Sequence, residues 1–175
     1  MAREFIYFLV SPAPMVQGSS QFPNSFVYSS SFHFCDGALY LPEHKTLVCS
    51  DLHLGYEYAR SLNDGIFLPP TNLSDLKQRL TRLFLAYAPK QFLVLGDLMH
   101  SFGKAHRPEW NEIKDFFLFL KRFFPEGKKS VILIKGNHDV GLRTIATAYG
   151  FSFVEKYQLG TSLFTHGHQY VSVPT

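Results

Sequence analysis

Four short groups of residues carry oxygen and nitrogen donors at spacings that suit metal chemistry: Asp51-Leu52-His53, Gly96-Asp97, Gly136-Asn137-His138-Asp139 and Thr165-His166-Gly167-His168. Each stands where an apolar run breaks off, so carboxylate, imidazole and amide groups would reach one edge of a sheet, the place where α/β proteins hold their ligands. Asp oxygen, His nitrogen and an Asn carbonyl form a hard to borderline donor set, suited to Mn²⁺, Fe or Zn²⁺ rather than to thiolate chemistry. Two such ions about 3.5–4 Å apart would share a water, lower its pKa and neutralise charge on a phosphoryl group under in-line attack. Asp97 is the natural bridge between the ions, and Asn137 offers a neutral oxygen that adds no negative charge beside a phosphate. His138 would donate a proton to the leaving group, with Asp139 fixing its tautomer or raising its basicity. His100, just past Asp97, reads equally well as a phosphate contact and as a polar loop residue. Arg60 is the basic residue read as a substrate contact. An isolated Asp-x-His or His-x-His pair is more often a cap or a satisfied polar pair; the order of all four groups, each after a strand-like run, carries the metal reading.

These groups need elements to position them. Residues 46–50, 91–95 and 130–135 are short β-rich runs that end in Asp or Gly plus a ligand-type residue. An extended segment would turn Asp51 and His53 to the same side. Between the runs lie two helical stripes. Leu73, Leu76, Leu80, Leu83, Phe84 and Tyr87 form one, and Trp110, Ile113, Phe116, Phe117, Leu120 and Phe123 the other, both read as core rather than as stacking surfaces. Strand alternating with helix specifies an α/β fold. Asp36-Gly37 is a turn signal between 32–34 and 38–41, which predicts a hairpin ahead of the first ligand strand. The loop 65–70 should feed a helix with Asn72 as its N-cap. Residues 1–25, rich in Ser, Pro, Gln and Asn, read as a loosely ordered arm in which 5–10 could pair as a strand, and 26–175 as a single domain.

Together the groups resemble the calcineurin-like metallophosphoesterases. The stretch 51–69 (DLHLGYEYARSLNDGIFLP) and the segment 96–103 (GDLMHSFG) look more narrowly like the Icc-type and DNA ligase-associated branch, and the likeness covers residues 30–170. It implies a sandwich of two mixed β-sheets flanked by α-helices, a dinuclear Mn²⁺ centre, and hydrolysis of phosphate esters, with DNA or RNA phosphodiesters as substrates or, alternatively, nucleotides. Position by position, Asp51 and His53 would bind the first ion, Asp97 would bridge, and Asn137 and His166 would hold the second. His138 would be the acid. The family pattern ends in a Gly-His-x-His segment beyond the position of His166. The setting of His166-Gly167-His168 after Ser162-Leu163-Phe164-Thr165 resembles the earlier single-histidine motif, which leaves His168 as a further candidate ligand. The expectation is therefore a C-terminally truncated domain, either catalytically impaired or completed by a partner or second copy that covers an exposed sheet edge.

The chain of 175 residues, 46% hydrophobic, can bury a sizeable core. A net charge of +3 without any basic run beyond a lysine pair permits phosphate-rich partners without demanding them. Two cysteines, Cys35 and Cys49, form no C-x-x-C spacing, so the expected compartment is a reducing cytoplasm. The apolar run at 5–10 is shorter than a signal peptide or membrane span uses, so no membrane association is expected.

Overall fold

The structure, a computed structural model, describes residues 16–17, 26–29, 32–102 and 105–168. Among these residues ten strands and four helices follow in the order β1 (Val16–Gln17), β2 (Phe26–Ser29), β3 (Phe32–Cys35), β4 (Ala38–Leu41), β5 (Thr46–Cys49), α1 (Tyr56–Asp64), α2 (Asn72–Tyr87), β6 (Gln91–Leu95), α3 (Arg107–Phe123), β7 (Val131–Ile134), α4 (Leu142–Ala148), β8 (Ser152–Val154), β9 (Tyr157–Leu159) and β10 (Ser162–Phe164). Strands β1 to β8 form one sheet in sequence order. Pairing is antiparallel from β1 to β5 and parallel from β5 to β8. The hairpin expected at Asp36-Gly37 joins β3 to β4, both turn residues at positive φ (45° and 78°), as the turns that match strand twist require.

Because the parallel strands are laid down in one direction and such crossovers are right-handed, the helices between them fall on one face of the sheet. Alternation along the strands then separates two cores. Phe92, Val94, Val131 and Leu133 face Leu80, Leu83 and Phe84 of α2 and Ile113, Phe116, Phe117 and Leu120 of α3. Leu93, Leu95, Ile132 and Ile134 face the other way, against Phe164, Tyr157 and Leu159 of the β9–β10 hairpin. The structure is thus a mixed α/β sandwich, as expected, with a two-stranded second layer among the described residues.

One expectation changes. Asn72 is the first residue of α2 rather than its cap; the N-cap is Thr71, and the Asn72 amide is satisfied by Glu57 Oε1 at 2.7 Å. Helices α1 and α4 were not foreseen, being short and preceded by left-handed glycines, Gly55 and Gly141, in place of capping side chains. The expected arm at 1–25 lies outside the described residues, its strand 5–10 included, except for β1. Among the described residues no helix is long and apolar enough to cross a membrane.

Candidate metal centre

Parallel pairing in register brings the C-terminal ends of β5, β6 and β7 level, and with them Asp51, Asp97 and Asn137. Past the strands the two loops continue side by side: Asp51 N donates to Gly96 O at 3.3 Å, His53 N to Asp97 O at 3.0 Å, and Leu54 N to Leu98 O at 2.8 Å. The segment 51–53 is not extended. Asp51, His53 and Asp97 all take left-handed backbone, with φ of 55°, 44° and 48°, a strain of order 1–3 kcal/mol per residue of the kind found at functional sites. The two side chains converge because the chain turns, not because it alternates. One donor atom from each of Asp51, His53 and Asp97 lies within 4.8 Å of the others.

His166, carried past β10, completes the second half of the cluster. Its Nδ1 lies 2.7 Å from Leu95 O, and since a carbonyl only accepts, Nδ1 carries a proton. Nε2 then faces Asn137 Oδ1 at 3.1 Å and Asp97 Oδ2 at 3.3 Å. The hydrogen bond to Asp97 holds the imidazole's pKa up at about 9, against burial, with help from Leu95 O and the charges of Asp97 and Asp51. Burial pushes the buried Asp97 carboxyl up, but the bonds from His166 and from the His138 amide, with the charge of both imidazoles, outweigh it and bring the net shift down. Positive charge is favoured among these oxygens. A histidine whose Nδ1–H is held by a backbone carbonyl and whose Nε2 points at anionic donors is preorganised as a metal ligand. His53 Nδ1 is buried without a hydrogen-bond partner among the described residues. The residues present therefore fit divalent cations.

Asp139, expected to orient His138, is turned elsewhere. Its Oδ1 accepts from Met99 N at 3.1 Å and its Oδ2 from Gly136 N at 2.8 Å. Burial raises its carboxyl pKa, with the two amides opposing. It ties the loop after β7 to the loop after β6. The atom facing His138 Nδ1 is His100 O, 2.6 Å away. The other ring nitrogen, Nε2, lies 3.7 Å from Asp97 Oδ2. The His100 ring sits edge-on to His53 and Tyr56, at 5.4 and 5.1 Å between centroids. Burial, and the charges of His53 and His138, lower its pKa. Arg60 pairs with Asp64 along α1 at 2.8 Å, while its Nε is buried without a partner among the described residues. His168 is exposed, its ring 5.2 Å from that of His166, and it makes no polar contact with the cluster among the described residues.

Several residues at the site were not read from the sequence. Glu109, buried at the start of α3, accepts from His100 N and Ser101 N, and Glu112 Oε2 accepts from Gly55 N. Glu109, an acidic residue in the first turn of a helix, looks like ordinary dipole complementation, and Glu112 one turn on like a solvated face, so nothing in the sequence marked them. Phe102 stands exposed at the rim with its ring 3.7 Å from that of His138, and a cleft beside Asp51 is walled by Asp36, Asn72, Leu76 and Arg79.

Residues 44–173 match the family model for the calcineurin-like phosphoesterases. Among solved structures, the crystal structure of the nuclease MPE of Pseudomonas putida is similar, at 20% identity and a TM-score of 0.55 over 74% of this chain. The chain spans 58% of that protein's length. No curated protein matches the sequence.

Proposed function

The chain belongs to the calcineurin-like phosphoesterase family, and from that premise we propose that it is a metal-dependent hydrolase of phosphoric esters that cleaves phosphodiesters, those of nucleic acid in particular. The convergence of Asp51, His53 and Asp97 donor atoms within 4.8 Å at the ends of two paired strands is the observation that carries this reading. Asp51 and His53 would hold one ion, Asn137 and His166 a second, and Asp97 both. When bound, two divalent ions, Mn²⁺ by the family resemblance and Mn²⁺, Fe or Zn²⁺ by the donor set, would supply water activation and charge neutralisation.

The remaining work falls to the chain. Leu95 O keeps the Nε2 of His166 turned to the cluster, and His100 O does the same for His138, whose imidazolium form would give its Nε2 proton to the departing oxygen and keep the one on Nδ1. Asp139 holds the two loops at a fixed spacing. His100 and Arg60 border the cluster as contacts for the phosphate, Arg60 by giving up part of its pairing with Asp64. A diester carries two organic arms, and the cleft beside Asp51 and the rim at Tyr56 and Phe102 offer a place for each. The name of the nuclease neighbour favours a polynucleotide over a small ester.

The test is turnover of bis(4-nitrophenyl) phosphate with Mn²⁺ added to chelator-treated protein, followed by single-stranded DNA against mononucleotides at equal concentration. Metal-dependent release of nitrophenolate and faster cleavage of DNA are expected. No turnover with any added divalent ion removes the proposal, and turnover of mononucleotides alone replaces the polynucleotide with a small nucleotide ester.

A further inference from the structure

Glu109 is 1% exposed, and its Oε1 accepts from Ser101 N at 2.9 Å and from His100 N at 3.0 Å. The His100 amide has a second acceptor, Leu54 O at 3.0 Å. The Ser101 amide has Glu109 alone among the described residues. Ser101 N–H and His100 C=O belong to one peptide unit, which is planar and trans, so they point in opposite directions. Fixing the N–H on Glu109 therefore aims the carbonyl the other way, and what it meets is His138 Nδ1, 2.6 Å away. The side chain packs directly on the backbone of Gly55, where a Cβ would lie 2.7 Å from Glu109 Cγ.

We propose that Glu109 is a positioning residue for His138, acting through the His100–Ser101 peptide to hold the ring by its Nδ1–H, so that the imidazolium gives up the proton on Nε2 to the substrate and the neutral ring left behind is the Nδ1–H tautomer. This rests on the role given to His138 above. A carboxyl acceptor on the N–H polarises the peptide and strengthens the carbonyl at its far side, since hydrogen bonds in a chain reinforce one another. Free histidine prefers the opposite tautomer, so the arrangement has to be imposed.

The first measurement is long-range ¹⁵N–¹H correlation of the His138 ring in metal-free wild-type protein at a pH where the ring is neutral. Nδ1–H is the expected state, and Nε2–H would overturn the proposal whatever any variant does. Glu109→Ala should shift the ring toward Nε2–H, while Glu109→Gln, which keeps one acceptor oxygen, should hold Nδ1–H. Turnover supplies a second arm. A diester with an alkoxide leaving group needs the acid and should lose roughly 10²-fold in Glu109→Ala, whereas bis(4-nitrophenyl) phosphate, whose leaving group departs without a proton, should change by only a few-fold. Equal losses on both substrates with the Nδ1–H tautomer intact would make Glu109 merely structural. If Glu109→Ala does not fold, the wild-type and Glu109→Gln spectra decide, Nε2–H in either overturning the proposal and Nδ1–H in both supporting it. Because the tautomer is read without metal or substrate, failure of the phosphoesterase reading and failure of this one are distinguishable.

Discussion

Gly136→Ala separates the metal cluster from the fold that carries it. Gly136 does not sit at positive φ, so its backbone would accept alanine; only space forbids it. A Cβ there would lie 2.0 Å from Asp97 Oδ1 and 2.2 Å from Asp97 N, where ordinary contact begins at 3.4 Å. The carboxylate must therefore retreat by about 1.4 Å, or the loops after β6 and β7 must part. Overpacking of this kind costs about 1–3 kcal/mol, which in a chain of this size is a fall in melting temperature of roughly 2–12 °C. Metal binding should suffer more, because Asp97 is the residue both ions would share. Losing even an outer partner of a ligand typically weakens binding by roughly 10–100-fold, and displacing the bridge should do at least that. Titration calorimetry with Mn²⁺ and thermal unfolding without metal measure the two effects apart. Gly141→Ala is the control. Its φ of 83° makes alanine strained, yet its Cβ would meet nothing closer than Trp110 at 3.7 Å, so it should lose about 1 kcal/mol and no metal affinity. A Gly136→Ala protein that binds Mn²⁺ as tightly as wild type would refute the packing of Gly136 on Asp97 and the bridging role with it.

Asp97→Asn keeps the shape and an oxygen to accept the His138 amide, so the fold should survive while Mn²⁺-dependent turnover disappears; retained turnover would remove Asp97 from the centre. Burial raises the thiol of Cys49 to about 12 and that of Cys35 to about 11 from 9.0. For both, the folded value exceeds the unfolded one, so their contribution to stability is complete below pH 9 and drains away as pH rises toward 11–12. Denaturation midpoints should fall across that window, and native thiols should resist alkylation at pH 8 until denaturant is added, rapid native labelling being the contrary result. Phe116→Ala empties a fully buried site between α3 and the sheet and should lose about 3–5 kcal/mol by urea denaturation with the slope unchanged.

The sheet was legible because its strands are short apolar runs bounded by turn residues, and the helical stripes because a period of 3.6 repeats over four turns in α2 and α3. Nothing comparable marks α1 or α4. Each has at most nine residues, and each begins on a left-handed glycine, which reads as a turn. The residue types that gather at the cluster were legible from chemistry and order, but the reason they converge was not. An alternating strand predicts that Asp51 and His53 share a side; the structure reaches the same end through left-handed backbone, whose φ of 55° and 44° are uncommon for any residue but glycine. Such strain persists only where the surroundings over-determine it, and here the surroundings are backbone groups: Gly96 O and Asp97 O accept from the Asp51 and His53 amides, and Leu95 O and His100 O each take a histidine proton. Carbonyl oxygens belong to every residue type, so a sequence cannot show which of them will be aimed at an imidazole. The same holds for Glu109, whose importance comes from the peptide it grips 8 and 9 residues away. Side chains that bind metal are visible in a sequence as types, whereas the groups that orient them are visible only once the backbone has a direction.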